Sequence, residues 1–301
     1  MDDSITRREF VAVAAIGAAG LQTANALAIN VQHQPRNIKK SLKFGMVHVK
    51  GSLLEKFQLL KNIGYDGVEL DSPNNLDRDE ILNAMNSTGL AIPGVIDSAH
   101  WSKPLSHADP NVRGEGRKAL ETALQDAKAY GSSTVLLVPA VVNKTVSYKA
   151  AYERSQAEIR KVLPLAEELK VKIAIENVWN SFLLSPLEAA RYIDEFESDH
   201  IGWYFDVGNI INFGWPEHWI EILNKRILKL DIKEFSRKKR NDEGLWKGFN
   251  VKLLEGDCDW PAVMKALDKI GYSGWASAEV SGGGEERLRE IAQRMDEIFV
   301  S

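Results

Sequence analysis

Four short apolar runs that each end in a carboxylate constrain this chain most strongly. Residues 172–176 end in Glu176, and residues 201–206 end in Asp206. Two later runs end in the same way, at Asp231 and Glu279. Because a buried parallel strand reads as a continuous apolar run, each acid is expected where a strand stops. In a parallel barrel these ends converge on one mouth, where an acid is typical of a catalytic or metal-binding site.

Four carboxylates at one mouth would repel each other unless a cation neutralised them. The pattern therefore predicts that Glu176, Asp206, Asp231 and Glu279 hold one divalent metal ion. A single acid after a strand is more often a helix N-cap or a solvated loop residue. Four such acids in succession favour the shared site.

The alternation of apolar runs with longer amphipathic runs is typical of repeated βα units. Strands are predicted at residues 43–49, 66–70, 91–96, 134–138, 172–176, 202–206, 228–232 and 275–280. An open nucleotide-binding sheet would need a Gly-rich turn after its first strand, and this chain has none. We therefore predict an α/β fold, a (β/α)8 TIM barrel, as a single domain over residues 43–301. Residues 234–261 lack a clear period and are predicted to form a loop over the mouth.

Length and charge limit the classes of protein that remain. The 301 residues, of which 44% are hydrophobic and 27% charged, suffice for one large domain. A net charge of −4 gives no basic field for duplex nucleic acid, so nucleic acid is not expected as a partner. The only cysteine, Cys258, cannot form an intramolecular disulfide.

The N-terminus has the order of an export signal. Arg7 and Arg8 precede an apolar run over residues 11–21 and an Ala26-x-Ala28 pattern. We predict a twin-arginine signal peptide over residues 1–28, a connector over 29–42, and a periplasmic mature protein. An uncleaved anchor is the alternative, but the apolar run is short for a bilayer span. No stable membrane span is expected after processing.

Five motifs occur in order along the mature chain: Glu176-Asn-Val-Trp-Asn-Ser-Phe-Leu-Leu-Ser-Pro-Leu-Glu188, Phe205-Asp-Val-Gly-Asn209, Asp231-Ile-Lys-Glu234, Glu255-Gly-Asp-Cys-Asp-Trp260 and Gly271-Tyr-Ser-Gly-Trp275. Together they resemble the sugar isomerase and epimerase group of the xylose isomerase-like barrels. The resemblance is closest to L-xylulose 5-phosphate and L-ribulose 5-phosphate 3-epimerases, and it spans residues 43–300.

The resemblance implies metal ligands at Glu176, Asp206 and Glu279. The fourth ligand position, on the seventh strand, is usually a histidine, but here it is Asp231. An all-carboxylate site suits Mn²⁺ or Mg²⁺, with Zn²⁺ or Co²⁺ as alternatives.

The resemblance also indicates substrate contacts. Asn209 stands where ketose epimerases often place a substrate-binding histidine. Arg237 matches an arginine that holds substrate hydroxyls, although it also belongs to the basic cluster 237–240.

The expected chemistry is a sugar isomerisation or 3-epimerisation. A divalent cation can stabilise the enediolate formed when a proton leaves the carbon next to a ketose carbonyl. Glu176 and Glu279, three strands apart, are the expected proton-transfer pair on the two faces of that carbon.

Aromatic and histidine side chains complete the candidate site for a small carbohydrate. His48 and His100 follow strands and either contact substrate or serve as hydrogen-bonded structural residues. Trp179 and Trp246, like Trp101, could stack on sugar faces or pack in the fold. The glycine-rich residues 281–285 suit a phosphate, but the export signal favours an unphosphorylated sugar.

Three other functions fit parts of the same pattern. An exported keto-glycoside lyase would use the same base for a β-elimination. A non-catalytic carbohydrate-binding barrel would follow if the changed seventh-strand ligand had abolished turnover. An endonuclease IV-type enzyme is disfavoured by the net negative charge and by only six histidines. The oligomeric state stays open, a homo-oligomer included.

Overall fold

The computed structural model describes residues 36–301. The predicted signal peptide, residues 1–28, lies outside the described residues, and export stays a prediction. No helix among residues 36–301 is long and apolar enough to cross a membrane.

Eight parallel strands form the sheet: β1 Ile38–Leu42, β2 Leu70–Ser72, β3 Gly94–Asp97, β4 Thr134–Leu137, β5 Lys172–Glu176, β6 Ile201–Asp206, β7 Ile227–Ile232 and β8 Gly274–Ala278. Their order is β1-β8-β7-β6-β5-β4-β3-β2. A parallel bridge between Lys43 and Glu69 joins the two ends of this order, with Glu69 N donating to Leu42 O at 2.9 Å. The predicted TIM barrel is confirmed.

Helices lie between and after these strands: α1 Leu53–Ile63, α2 Arg78–Thr88, α3 Pro110–Tyr130, α4 Tyr148–Leu169, α5 Pro186–Asp194, α6 Gly208–Ile211, α7 Pro216–Leu223, α8 Arg237–Glu243, α9 Trp260–Ile270 and α10 Glu285–Val300. Local chemistry sets several of their ends. Ser52 forms a capping box with Glu55 at the start of α1, and Gly64 ends that helix in the left-handed conformation. The main core lies between the sheet and the helices, whereas Leu136, Ala174 and Tyr204 form a small cluster of their own.

The prediction of a first strand at residues 43–49 is wrong. The strand is β1, Ile38–Leu42, inside the predicted connector, and Phe44–Met46 form a 3-10 turn. The consecutive lysines 39 and 40 make β1 look like a polar segment in the sequence. Lys40 is nonetheless buried. The apolar part of its side chain packs in the fold, and its ammonium nitrogen pairs with Asp296 Oδ1 at 2.6 Å. The other seven predicted strands overlap observed ones.

The segment after β7 is more ordered than its lack of period indicated. It contains α8 and a 3-10 turn over Leu245–Phe249. Glu234, which is buried, accepts hydrogen bonds from Leu254 N at 3.0 Å, Cys258 N at 3.1 Å and Trp260 Nε1 at 2.9 Å. One buried carboxylate therefore fixes three points of a segment that has no sequence periodicity.

Candidate metal centre and its cavity

Strand register brings the four predicted acids to one place. Asp206 on β6 lies directly opposite Asp231 on β7. Glu176 and Glu279 are each offset from their neighbouring acid by two residues, so side-chain alternation turns all four to the same face. One oxygen from each carboxylate lies within 4.8 Å of the others. The predicted cluster is therefore a geometrical unit at the C-terminal mouth.

Two lysines that the sequence interpretation missed contact these acids. Lys233 Nζ lies 2.8 Å from Asp206 Oδ2 and 3.0 Å from Glu279 Oε2. Lys43 Nζ lies 2.9 Å from Asp231 Oδ1. Lys233 follows Asp231 by two residues, so the same alternation could have placed it at the mouth. We call Glu176, Asp206, Asp231, Glu279 and Lys233 the mouth cluster.

A second charged group lies deeper in the barrel. Glu69 Oε2 accepts from Lys43 Nζ at 2.8 Å and from Tyr204 Oη at 2.7 Å, while Oε1 accepts from Lys229 Nζ at 3.1 Å. Gly94 makes room for it, because a Cβ there would lie 2.4 Å from Lys229 Nζ. We call Lys43, Glu69, Tyr204 and Lys229 the floor cluster. Sequence reasoning missed Glu69, Tyr204 and Lys229.

The buried carboxylates of the two clusters differ in the direction of their pKa shifts. Burial, followed by the neighbouring acids, raises the pKa of Glu176 well above its usual range. Burial likewise raises the pKa of Asp231, and Lys43 only partly offsets this. By contrast, Lys43 and Lys229 overcome the burial of Glu69 and hold its pKa at about 2. Lys233 and Lys43 similarly outweigh burial at Glu279 and lower its pKa.

The mouth cluster fits a divalent cation. Asp231 is fully buried, and neither of its carboxylate oxygens has a hydrogen-bond donor among residues 36–301, although Lys43 Nζ is close to one of them. Buried carboxylates normally accept several hydrogen bonds, so four carboxylates this close together, one of which accepts none and has Lys43 beside it, mark a place for a cation. Four carboxylates form a hard oxygen set of the kind that binds Mg²⁺ or Mn²⁺.

A cavity of about 640 Å³ opens above this cluster. Four of the six predicted substrate-binding residues line it, namely His100, Trp179, Asn209 and Trp246. His48 lies outside the lining, with Nε2 3.1 Å from Gly45 O. Arg237 also lies outside it and donates to Ile211 O at 2.8 Å and Gly214 O at 3.0 Å.

His100 and Asn209 have defined hydrogen-bond roles. Val138 N donates to His100 Nδ1 at 3.3 Å, which leaves the proton of the neutral ring on Nε2. Burial lowers the pKa of His100 to about 4, so the ring is neutral at pH 7. Asn209 donates from Nδ2 to Asp206 Oδ2 at 2.7 Å and from its backbone N to Oδ1 at 2.9 Å. It therefore orients a carboxylate of the mouth cluster.

Comparison with known families agrees with this geometry. The family described as xylose isomerase-like TIM barrel matches residues 57–298. The chain belongs to this family, and the predicted resemblance is confirmed.

Curated relatives and solved structures show the same likeness. The L-ribulose-5-phosphate 3-epimerase UlaE of Escherichia coli O1:K1 / APEC is 26% identical over 258 residues, which cover 81% of this chain and 87% of the relative. A D-tagatose 3-epimerase-like protein has a TM-score of 0.74 at 17% identity, covering 87% of this chain and 97% of that one. The 3-keto-D-glucoside 4-epimerase YcjR of E. coli has a TM-score of 0.72 at 17% identity, covering 88% and 100%. The two structures support the fold.

Proposed function

We propose that this protein is a divalent-metal-dependent sugar isomerase or 3-epimerase that moves a proton at the carbon next to a ketose carbonyl. The observation that carries the proposal is the convergence of four carboxylates at the mouth, with an open cavity directly above them. The curated relative UlaE is an L-ribulose-5-phosphate 3-epimerase, which supports sugar epimerisation. The likeness in fold to a D-tagatose 3-epimerase-like protein agrees with this activity.

The residues of the mouth cluster have different roles in this reaction. Glu176 ends β5 and Glu279 directly follows β8, the two outer strands of the four. Both side chains line the cavity, so they can face a substrate carbon from two sides. A cation held by the four carboxylates would stabilise the negative charge that develops on the substrate oxygens. Asn209 and Lys233 hold Asp206 in place, and Lys233 also holds Glu279.

The two glutamates also differ in basicity in the cation-free protein. The pKa of Glu176 is raised by burial and by neighbouring acids, whereas the ammonium groups of Lys233 and Lys43 lower that of Glu279 despite burial. One glutamate can remove a proton from one face of the substrate carbon while the other returns a proton to the opposite face.

Deuterium exchange tests this function. Mn²⁺-loaded protein is incubated with a panel of ketoses in D₂O, and the loss of the C3 proton is followed by NMR. Glu176→Gln and Glu279→Gln should each lower the epimerisation rate by roughly 10² to 10⁴, the usual cost of losing a general base. Glu285→Gln is the control, because Glu285 lies on α10 and pairs with Arg289.

Two outcomes of this test would contradict the proposal. Wild-type protein that exchanges no substrate proton with any ketose is not an enzyme of this class on those sugars. Near-full turnover in both glutamine variants would remove the two glutamates from proton transfer. Exchange without inversion in one variant would support the separate roles of the two faces.

We propose further that the protein is exported by the twin-arginine route and cleaved after Ala28. The paired Arg7 and Arg8 and the Ala26-x-Ala28 pattern support this. N-terminal sequencing of the protein recovered from the periplasmic fraction should begin at Ile29. Recovery of the full-length chain from the cytoplasm alone would contradict export.

A further inference from the structure

Four aromatic side chains form one side of the cavity and continue beyond it. The ring of Trp179 lies 5.0 Å from that of Trp246, 4.9 Å from that of Phe249 and 6.4 Å from that of Phe213, measured between centroids. Trp179, Trp246 and Phe249 line the cavity, whereas Phe213 lies outside its lining, next to Trp179. We call these four residues the aromatic wall.

The aromatic wall starts beside the mouth cluster. Lys233 Nζ lies 5.5 Å from the centroid of Phe249 and 2.8 Å from Asp206 Oδ2. A sugar ring held at the carboxylates would therefore have the wall on one side. A second ring joined to the first would extend along the wall towards Trp246.

The inner part of the wall is fixed in place. Trp179 Nε1 donates to Asn209 O at 2.8 Å, and Phe249 packs edge-on against Phe235 with 4.8 Å between centroids. Gly248 is required for this packing, because a Cβ there would lie 2.3 Å from the Phe235 ring. The wall is thus a preformed surface rather than a set of independent side chains.

The outer part of the wall is exposed. Trp246 is 65% exposed and Phe213 is 55% exposed. Large aromatic side chains left in water next to a cavity mark a ligand-binding surface. The flat apolar faces of sugar rings suit such a surface, because an aromatic ring combines a large apolar face with low conformational freedom.

The charges around the cavity favour an uncharged ligand over one with a phosphate group. Lys43 and Lys233 are the only lysine or arginine side chains among the described residues that line it, and both contact carboxylates. Asp71 and Asp97 add acids to the lining, and His100 is neutral at pH 7. A phosphate dianion would therefore find no unpaired cation there.

We propose that the aromatic wall binds a second, uncharged sugar ring, so that the substrate is a ketose joined through a glycosidic bond to another sugar. This inference rests on the proposed function, which places the ketose unit at the mouth cluster. It assigns the substrate class, a neutral ketose-containing disaccharide or longer glycoside, and it makes Trp246 a specificity-determining residue.

Calorimetric titration of the Mn²⁺-loaded protein tests this subsite. The probes are D-fructose, the ketose disaccharides lactulose, maltulose and isomaltulose, and D-fructose 6-phosphate. At least one disaccharide should bind about 3- to 10-fold more tightly than D-fructose, the gain expected from one stacked ring. Trp246→Ala should remove most of that gain and weaken D-fructose binding less. Trp215→Ala is the matched control, because Trp215 is 57% exposed and lies outside the cavity lining.

Three results would overturn the subsite. These are equal affinity for D-fructose and all three disaccharides, tightest binding of D-fructose 6-phosphate, or an equal effect of Trp246→Ala and Trp215→Ala. The binding measurement decides the subsite, and deuterium exchange with the same sugars decides the proposed function. Failure of one is therefore distinguishable from failure of the other.

Discussion

The mouth cluster and the floor cluster both bury carboxylates beside lysines, but they differ in charge balance. The floor cluster sets one carboxylate, Glu69, against two ammonium groups, and each oxygen of Glu69 has a donor. The mouth cluster holds four carboxylates and one lysine, Lys233. Lys43 of the floor cluster lies 2.9 Å from Asp231 Oδ1, but neither oxygen of Asp231 accepts a hydrogen bond among the described residues. The floor is complete as it stands, whereas the mouth carries an excess of negative charge.

The size of that excess is informative. The two clusters together hold five carboxylates and three ammonium groups, which leaves two negative charges uncompensated. Two carboxylates, Glu176 and Asp231, have a pKa raised well above the usual range. Two protons or one divalent cation would neutralise the excess equally well. The comparison therefore assigns a structural role to the floor and a binding role to the mouth.

The largest expected effect is a difference in stability between two variants, Glu69→Gln in the floor cluster and Glu176→Gln in the mouth cluster. Glu69→Gln removes the carboxylate that pairs with both Lys43 and Lys229, and breaking such a buried pair costs about 3 to 5 kcal/mol. Glu176→Gln in the cation-free protein should cost much less, because its raised pKa already favours the neutral form. Urea denaturation in the presence of a chelator measures both free energies of unfolding. Equal losses at the two positions would contradict the division of roles.

The next effect concerns cation affinity. Glu176→Gln should weaken Mn²⁺ binding by at least about 10- to 100-fold. Changing a residue that only hydrogen-bonds to a metal ligand already causes a loss of this size. Isothermal titration calorimetry measures the affinity directly, and Glu285→Gln on the surface of α10 serves as the control. Unchanged Mn²⁺ affinity in Glu176→Gln would remove this residue from the ligand set.

The smallest expected effect is proton release. Burial raises the pKa values of Glu176 and Asp231, so both carboxyl groups hold protons more readily without a cation, and cation binding should release protons. Affinity should therefore fall as the pH is lowered from 8 to 5, since protons then compete more strongly. Titrations in buffers of different ionisation enthalpy count the protons. No proton release and no dependence on pH would contradict the raised pKa values.

The mouth cluster was accessible from the sequence because it obeys a local rule. Each of its acids ends or follows an apolar strand, and a parallel barrel carries all strand ends to one face. The register of the strands then turns the four side chains to the same face. Residues as far apart in sequence as Glu176 and Glu279 therefore meet, although nothing in the sequence pairs them directly. Lys233 lies two residues after Asp231, so the alternation of side chains along the strand places it on the same face. It was not predicted, although this spacing was visible in the sequence.

The floor cluster has no such signal. Lys229 and Glu69 are 160 residues apart, and Tyr204 and Glu69 are 135 apart. Only the closed barrel brings them together, and a lysine within a strand reads as a solvent-facing residue. The same reason hid β1, whose consecutive lysines at 39 and 40 resemble a polar connector. Buried charge pairs are thus visible only once the fold is known.

Anomalous diffraction from crystals grown with Mn²⁺ tests the central claim most directly. The account predicts one manganese peak per chain, about 2.0 to 2.6 Å from an oxygen of each of Glu176, Asp206, Asp231 and Glu279. The floor cluster should show no peak, with Glu69 still bonded to both lysines. A peak bound to Glu69, or no peak at the mouth at saturating Mn²⁺, would contradict the account.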